Sequence, residues 1–267
     1  MPTHTTLLWE EPSTWAKALE DLAPEICNAT SVRKLEKAKP DFLPSDDLSW
    51  AQDLLPARLR AKFDLSEELL ERLTMHFTHF RAYHGGRPLV VDSYLRDGLV
   101  PLNSSKAIET VYENFADGKY PEVTREVLDR AVSSMDTEYR EARVFFEGSK
   151  RLLLDSCGHY MLYGSEYIVG VLRSIPGTRD YAQVLKQRGT PTVLTCDIPM
   201  DWIQDSTLGE LAGRLISTYF KLQLFEQYSH PQRGEGFGFE IFRTLAPELI
   251  ISVEHPTNIH DPIANDA

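Results

Sequence analysis

Apolar residues fall at two different spacings along this chain, and together they predict a mixed α and β protein. Residues 208–220 repeat apolar side chains three and four positions apart, which is typical of an amphipathic helix. The segment TPTVLTCDI, bounded by Gly189 and Pro199, predicts a buried strand. Further strands are predicted at VFFE, at the alternating segment GFGFEIF and at LIISVE.

The first 63 residues show helical spacing, so we expect a helical N-terminal cap at 1–63 and a second domain at 64–267. A helix is predicted at about 48–59, disturbed by Pro56 because proline lacks the backbone N–H that a helix interior needs. The next helix begins after Asp64. Ser66 is expected to cap it, and its apolar stripe runs as far as Phe80.

Three further helical predictions concern the middle and the end of the chain. Helices are expected over 105–140 with a break at Asp117-Gly118, and one long helix is expected over about 150–173. Thr207 and Glu210 have the spacing of a capping box, so the helix of residues 208–220 is expected to begin there.

The stretch FRAYHGGRPLVVDSYLRDGL, residues 80–99, combines a strand-like run with an unusual ending. The run stops at His84-Gly85-Gly86, and a short helix is predicted at 92–97. Gly98 fits the end of that helix, where glycine adopts left-handed backbone angles without strain. The two glycines either form a plain turn, or they let the backbone approach a ligand that His84 reaches.

Composition is that of a globular protein, because 42% of the 267 residues are hydrophobic. The three cysteines, Cys27, Cys157 and Cys196, are few and widely spaced, which indicates a reducing compartment and predicts a cytoplasmic protein. No run approaches the roughly 18 apolar residues of a membrane helix. The N-terminus lacks the basic start and apolar run of a signal peptide, so neither a signal peptide nor a membrane partner is expected.

The formal net charge of −12 disfavours extended, non-specific binding to nucleic acid, which gains its energy from basic residues on phosphates. Basic residues nevertheless cluster in the first quarter of the chain: Arg33, Lys34, Lys37, Lys39, Arg58, Arg60 and Lys62. They form either solvated helix faces or a surface that contacts a partner or nucleic acid.

No motif indicates a metal site, a Rossmann dinucleotide site or an activated nucleophile, and no bound metal is expected. His76 and His79 lie three apart on a predicted helix, but no HExxH pattern is present and packing explains them better. His255, His260 and Asp261 form a second weak set. The cysteines have apolar neighbours and are expected to be buried and inert.

Three tyrosines and one glutamate are the strongest chemical candidates from residue pattern. Tyr160, Tyr163 and Tyr167 are spaced to share one helix face, which indicates either core packing or a stacking wall for a flat, cationic ring. Glu240 lies on the opposite side of its predicted strand from Phe239. It is either a surface residue or a carboxylate held against a developing positive charge.

The order of these segments resembles the ADP-ribosyltransferase superfamily, in the branch whose site reads His, Tyr, Glu, as in poly-ADP-ribose polymerases and loosely in DNA-modifying toxins. The resemblance covers about residues 77–253 and rests on YHG, DSYLRDGL, VFFEGS, GHYMLYGSEY, TPTVLTCDI, Glu240 and APELI. It implies an α+β fold with a small mixed or antiparallel split β-sheet and many helices, in addition to the helical N-terminal segment.

The resemblance implies that NAD is the substrate and assigns residues to bind it. His84 would hydrogen-bond the adenosine ribose, and the Gly85 backbone would hold the nicotinamide carboxamide. One of Tyr160 and Tyr163, with Phe146 opposite, would sandwich the nicotinamide ring.

Two further roles follow from the same resemblance. Glu240 would bond the ribose next to the nicotinamide and stabilise the oxocarbenium-like transition state. Arg87 would meet the pyrophosphate, since a guanidinium forks onto phosphate oxygens, unless it is a surface turn residue.

The implied function is an NAD-dependent ADP-ribosyltransferase that modifies an unidentified protein or nucleic-acid acceptor. An intracellular toxin or defence effector is expected, with an antitoxin or another partner at the N-terminal helices. Two alternatives stay open: an enzyme similar to RNA 2′-phosphotransferases, which also use NAD, and a non-catalytic interaction protein with a degenerate transferase fold.

Overall fold

The structure is a computed structural model that describes residues 5–60, 64–115, 120–135, 140–177, 179–225, 228 and 236–263. The predicted break at Asp117-Gly118 lies outside these residues, as do Lys62 of the basic cluster and most of the predicted loop at 229–236. Over the described ranges, no helix is both long and apolar enough to cross a membrane.

Among the described residues, six strands form one sheet in which antiparallel pairing prevails. The strands are β1 Thr6–Leu7, β2 His79–Gly86, β3 Val144–Glu147, β4 Thr192–Pro199, β5 Gly238–Ile241 and β6 Ile250–Glu254. Their order is β5-β3-β2-β4-β6, and β1 pairs with β2 in parallel. The β2–β3 and β4–β6 pairs are antiparallel. The predicted mixture of helices and a small, open sheet is confirmed at this level.

The helices fill the segments between the strands. Those before β3 are α1 Ala16–Leu22, α2 Ala29–Ala38, α3 Ser49–Gln52, α4 Ala57–Arg60, α5 Leu65–His76, α6 Asp92–Asp97, α7 Ser104–Phe115 and α8 Arg125–Ser133. Those after β3 are α9 Lys150–Ser156, α10 His159–Tyr163, α11 Glu166–Arg173 and α12 Asp205–Leu224. Short 3₁₀ helices occur at Pro12–Thr14, Tyr181–Gln187, Met200–Trp202 and Pro247–Leu249.

Backbone proximity divides the chain into two compact units. The first unit contains Met1–Ala82 and Asp197–Phe239, and the second contains Tyr83–Cys196 and Glu240–Ala267. The predicted boundary between residues 63 and 64 falls within the first unit and stays a prediction.

The first unit is built around α12, which packs against α5, α2 and α1. The indole rings of Trp9 and Trp15 stack with centroids 6.1 Å apart. Phe80 meets Phe237 and Phe239 edge-on at 5.5 and 5.6 Å. Phe80 itself lies on strand β2, beyond the end of α5 at His76. The predicted helical stripe from Asp64 to Phe80 was therefore too long.

α5 begins after Asp64 as predicted, but its predicted cap was wrong, and so was the predicted start of α12. At α5 the Asp64 carboxylate, not Ser66, accepts from the backbone N–H groups of Ser66 and Glu67 at 3.0 and 3.2 Å. At α12 the first turn closes on Gln204, whose carbonyl accepts from Leu208 N at 2.9 Å. Thr207 therefore lies inside α12, and no capping box forms there.

The predicted helix over 150–173 is three helices, α9, α10 and α11. Gly164 ends α10 with φ of +87°, a left-handed conformation that favours glycine. Ser149 and Ser165 then cap α9 and α11 by accepting from Leu152 N and Ile168 N. Elsewhere Pro56 separates α3 from α4, and Gly98, with φ of +77°, ends α6 as predicted.

Two glycines of α12 form a matched pair that tests its packing in the first unit. A Cβ at Gly213 would lie 2.2 Å from the Ser45 carbonyl oxygen, whereas a Cβ at Gly209 would meet nothing within 4 Å. We expect Gly213→Ala to lower the free energy of unfolding by about 1–3 kcal/mol, because the helix must move away. Gly209→Ala should raise it by about 0.5–1 kcal/mol through helix propensity. Urea denaturation measures both, and shifts of the same sign would contradict this packing.

Candidate functional site

His84, near the end of β2, is held in one tautomer by the neighbouring strand. Tyr83 pairs with Glu147 across the β2–β3 ladder, and His84 Nδ1 lies 2.9 Å from the Phe145 carbonyl oxygen. Because a carbonyl only accepts, Nδ1 must donate, which leaves Nε2 as an acceptor in the neutral ring. Burial lowers the pKa of His84, although this hydrogen bond opposes the shift. The imidazole is therefore neutral at physiological pH.

Gly85 presents its backbone to the helices that follow β3. A Cβ built at Gly85 would lie 3.3 Å from a Leu153 methyl and 3.4 Å from atoms of Met161 and Tyr160. That spacing leaves almost no room for a side chain. The absence of one lets α9 and α10 pack directly on β2.

The two faces of β2 carry different candidate residues. The His84 and Phe146 rings lie 5.9 Å apart at 59°, as expected for residues opposite each other in the β2–β3 register. Tyr160 packs beside Gly85, and successive strand residues point to opposite faces. The structure therefore does not bring Phe146 and Tyr160 together across a slot. Their joint role as a ring sandwich stays a prediction.

Tyr94 of α6 is a neighbour of this site that the sequence reasoning missed. A Cβ built at Gly86 would lie 2.7 Å from Tyr94 Oη and 3.7 Å from His84 Nε2. Gly86 thus leaves space for a phenol beside the acceptor nitrogen of the histidine. Burial raises the pKa of Tyr94 to about 12, so its hydroxyl stays protonated. Nothing in the local pattern of DSYLRD distinguishes this tyrosine from a surface residue.

The three tyrosines do not form one stripe, and that prediction was wrong. α10 ends at Gly164, so Tyr167 belongs to α11. Tyr167 and Tyr163 are only 1% and 3% exposed in the larger core of the second unit. Tyr160 is half-buried and lies beside Gly85. Tyr160 is therefore the tyrosine best placed to meet a ligand.

Tyr160 packs beside His159, which in turn bonds Glu166 of α11. Its ring lies 4.2 Å from that of His159, and His159 Nε2 is 2.8 Å from Glu166 Oε1. Arg140 Nη2 donates to the other Glu166 oxygen, also at 2.8 Å. The hydrogen bond from His159, helped by Arg140 and opposed by burial, lowers the pKa of Glu166 to about 2. Glu166 is therefore ionised at neutral pH.

The Arg87 guanidinium is engaged with the backbone. Its Nε donates to the Arg188 carbonyl at 2.5 Å and Nη1 donates to the Met161 carbonyl at 3.1 Å. Nη2 donates to the Lys186 carbonyl. A guanidinium has five N–H donors, so these bonds use three of them. Arg87 ties α10 to the segment before β4, and its contact with a pyrophosphate stays a prediction.

Glu240 lies on β5, where the predicted alternation is present. Phe239 and Ile241 are buried, whereas Glu240 is half-buried. Its Oε1 accepts from Arg143 Nη1 at 3.0 Å, and the Arg143 guanidinium lies 5.1 Å from the Phe242 ring centroid. Because β3 lies between β5 and β2, Glu240 is two strand spacings, about 10 Å, from the strand of His84.

The second unit therefore offers several distinct groups around the end of β2. They are a neutral imidazole acceptor, a protonated phenol, a half-buried tyrosine whose Cβ lies near a glycine, and a carboxylate two strands away. Burial raises the pKa of the Cys157 thiol, so it is a poor nucleophile. Among the described residues, no group of three His, Cys, Asp or Glu side chains is arranged to hold a metal ion. These groups suit recognition of a flat ring and hydroxyl groups.

No protein-family model, curated protein or solved structure matches this chain. Function is therefore inferred from its own residues and geometry.

Glu166 provides a pH-dependent test of the support around Tyr160. The folded pKa of Glu166 is about 2, below the ordinary value of 4.5. Its stabilising contribution is therefore complete above pH 4.5 and is lost as the pH falls from 4.5 through about 2. We expect Glu166→Gln to lower the free energy of unfolding at pH 7 by about 1–2 kcal/mol, discounted for partial exposure. Urea denaturation from pH 7 to pH 2.5 should show the wild-type advantage shrinking below pH 4.5. A constant difference across that range would refute the ion pair.

Proposed function

We propose that this protein is an NAD-dependent ADP-ribosyltransferase, which cleaves the nicotinamide–ribose bond and transfers ADP-ribose to a macromolecular acceptor. The observation that carries the proposal is that Tyr160 is a neighbour of Gly85, directly after His84: a Cβ built at Gly85 would lie 3.4 Å from Tyr160 Cβ. The strand of Glu240 belongs to the same sheet and its glutamate to the same unit. The order His-Gly, Tyr, Glu along the chain supports the same assignment.

Nicotinamide in NAD is a flat, positively charged ring. In the proposed complex it lies on Tyr160, because the negative face of a phenol ring attracts a cation. The backbone of Gly85, which is a neighbour of Tyr160, is proposed to bond the nicotinamide carboxamide. His84 Nε2 accepts a hydrogen bond from a ribose hydroxyl, since Nδ1 already donates to the Phe145 carbonyl.

Glu240 supplies the electrostatic part of the reaction. The bond between ribose C1′ and the nicotinamide nitrogen breaks with both electrons staying on nitrogen, so nicotinamide leaves as a neutral molecule. Positive charge develops on the ribose, and the Glu240 carboxylate stabilises it. A nucleophilic group of the acceptor then attacks C1′ and releases its proton. Because the leaving group is already cationic in NAD, a general acid is not required.

The acceptor is proposed to be a protein or a nucleic acid, and the role is proposed to be that of a toxin or defence effector. The exposed basic residues of α2, Arg33, Lys34 and Lys37, are the proposed contact for a partner such as an antitoxin. They belong to the first unit, whereas His84 and Glu240 belong to the second.

A non-catalytic interaction protein is the second candidate, and one observation favours it. Arg143 lies 3.0 Å from Glu240 and offsets its negative charge. A carboxylate that stayed paired in this way would stabilise a developing cation less well. In the catalytic proposal, Arg143 orients the Glu240 carboxylate, and the ribose of the substrate competes with Arg143 for that carboxylate.

Nicotinamide release from NAD tests the catalytic proposal. We expect Glu240→Gln to lower kcat about 10²–10³-fold, because the lost charge acts on the transition state. We expect His84→Ala to raise KM about tenfold through loss of a ribose hydrogen bond. The wild-type protein should release nicotinamide with water as acceptor, and faster with a suitable macromolecule.

Glu254→Gln is the matched control, because Glu254 is an exposed carboxylate of β6 whose partner is Lys150. Its turnover should stay within about twofold of wild type, as expected for a surface pair. Wild-type protein that neither binds nor cleaves NAD would support the non-catalytic candidate. Unchanged kcat in Glu240→Gln together with unchanged KM in His84→Ala would remove these residue assignments.

A further inference from the structure

The chain continues after β6 as a described segment, residues 255–263, which we name the C-terminal strap. At its start, His255 Nδ1 lies 3.1 Å from the Pro191 carbonyl oxygen. At its end, Arg173 Nη2 donates to the Ile263 carbonyl at 2.9 Å, and the Ile263 side chain packs on the larger core of the second unit. The strap is thus attached at both ends within that unit.

The middle of the strap touches the start of α10 closely. A Cβ built at Gly158 would lie 2.0 Å from the His260 carbonyl oxygen and 2.8 Å from the Ile259 side chain. Ile259 packs against a small buried cluster of Leu153, Met161 and Val193. Leu153 and Met161 are also the residues closest to the missing side chain of Gly85. The same two side chains therefore separate the strap from the β2 backbone.

Asp261 joins the strap to α10 and to the 3₁₀ helix Tyr181–Gln187. Its Oδ2 accepts from the Tyr163 hydroxyl at 2.8 Å and from Lys186 Nζ at 2.6 Å. Its Oδ1 accepts from Ile263 N at 3.2 Å. Asp261 is largely buried, with 15% of its side chain exposed, so these charge-assisted bonds are strong. Tyr163 lies three residues after Tyr160 on the five-residue α10.

We propose that Asp261 is a positioning residue, and that the C-terminal strap holds α10 so that Tyr160 stays against Gly85 and receives the nicotinamide ring. This inference rests on the proposed function. Asp261 does not touch the ligand in this arrangement. Asp261 holds the end of α10 through Tyr163. Ile259 of the same strap lies against Gly158 at the start of that helix. Loss of the strap contacts should therefore weaken NAD binding and leave the chemistry at Glu240 intact.

The thiol of Cys157 reports on the strap independently of NAD. Cys157 is half-buried and packs against the same cluster as Ile259, whereas Cys27 and Cys196 are buried. In the full-length protein, Asp261→Asn should increase the labelling rate of Cys157 by an aromatic disulfide several-fold. Peptide mass mapping identifies the labelled thiol. Asp97→Asn, which removes the exposed pair with Arg96, is the matched control and should label at the wild-type rate.

Kinetics with NAD then separate positioning from general destabilisation. We expect Asp261→Asn to raise KM for NAD about three- to tenfold with kcat within about twofold of wild type. If Asp261→Asn does not fold, Ile259→Ala carries the same two measurements with the same expected direction. Unchanged labelling, or faster labelling with unchanged KM, would overturn the positioning role. If the wild-type protein neither binds nor cleaves NAD, the proposed function is overturned, and the positioning role with it. The labelling rates would still show whether the strap holds α10.

Discussion

The packing of α9 and α10 beside the backbone of Gly85 is the contact on which the candidate site depends. Three side chains, those of Leu153, Met161 and Tyr160, occupy the space that a side chain at Gly85 would need. A methyl group at this position would need Leu153 to shift by a few tenths of an ångström, so glycine allows the closest approach of the helices to the strand. The same contact sets the distance between Tyr160 and β2, so the requirement of the fold and the requirement of the candidate site are met by one residue.

Three groups around this contact each have one charge state at neutral pH, two of them favoured by burial and one by hydrogen bonds. Burial keeps His84 neutral, and its bond to the Phe145 carbonyl selects the tautomer. Burial also keeps the Tyr94 hydroxyl protonated. Glu166 is ionised because His159 and Arg140 hydrogen-bond its charged form. The second unit thus presents fixed donors and acceptors at neutral pH, which lowers the cost of orienting a bound ligand.

Features with a local cause could be predicted from the sequence. The end of α6 at Gly98, the buried strand β4 and the alternation around Glu240 each depend on a few neighbouring residues. The split of residues 150–173 into three helices was missed although Gly164 and Ser165 mark one of its breaks locally. The contact of the strap with Gly158, from about a hundred residues away, could not be predicted from neighbouring residues. The tyrosine stripe failed with the split, since a continuous helix was assumed.

Residues that act through distant contacts were also missed. Tyr94 lies on a short helix with ordinary composition, and its importance comes from the space above Gly86. Asp261 was considered with two histidines as a weak metal set, whereas its actual partners are Tyr163 and Lys186. Spacing along the chain carries no information about such partners. In both cases a three-dimensional neighbour, and not the local pattern, defines the role.

Saturation-transfer NMR of NAD bound to this protein tests most directly whether the surface formed by Tyr160 and Gly85 receives the nicotinamide ring. The Glu240→Gln background slows cleavage during the measurement. We predict the strongest saturation on the nicotinamide ring protons, a large loss with Tyr160→Ala, and no loss with Tyr112→Ala on helix α7, whose hydroxyl bonds Asp129. Saturation confined to the adenine protons, or equal signals in the two tyrosine variants, would contradict the account.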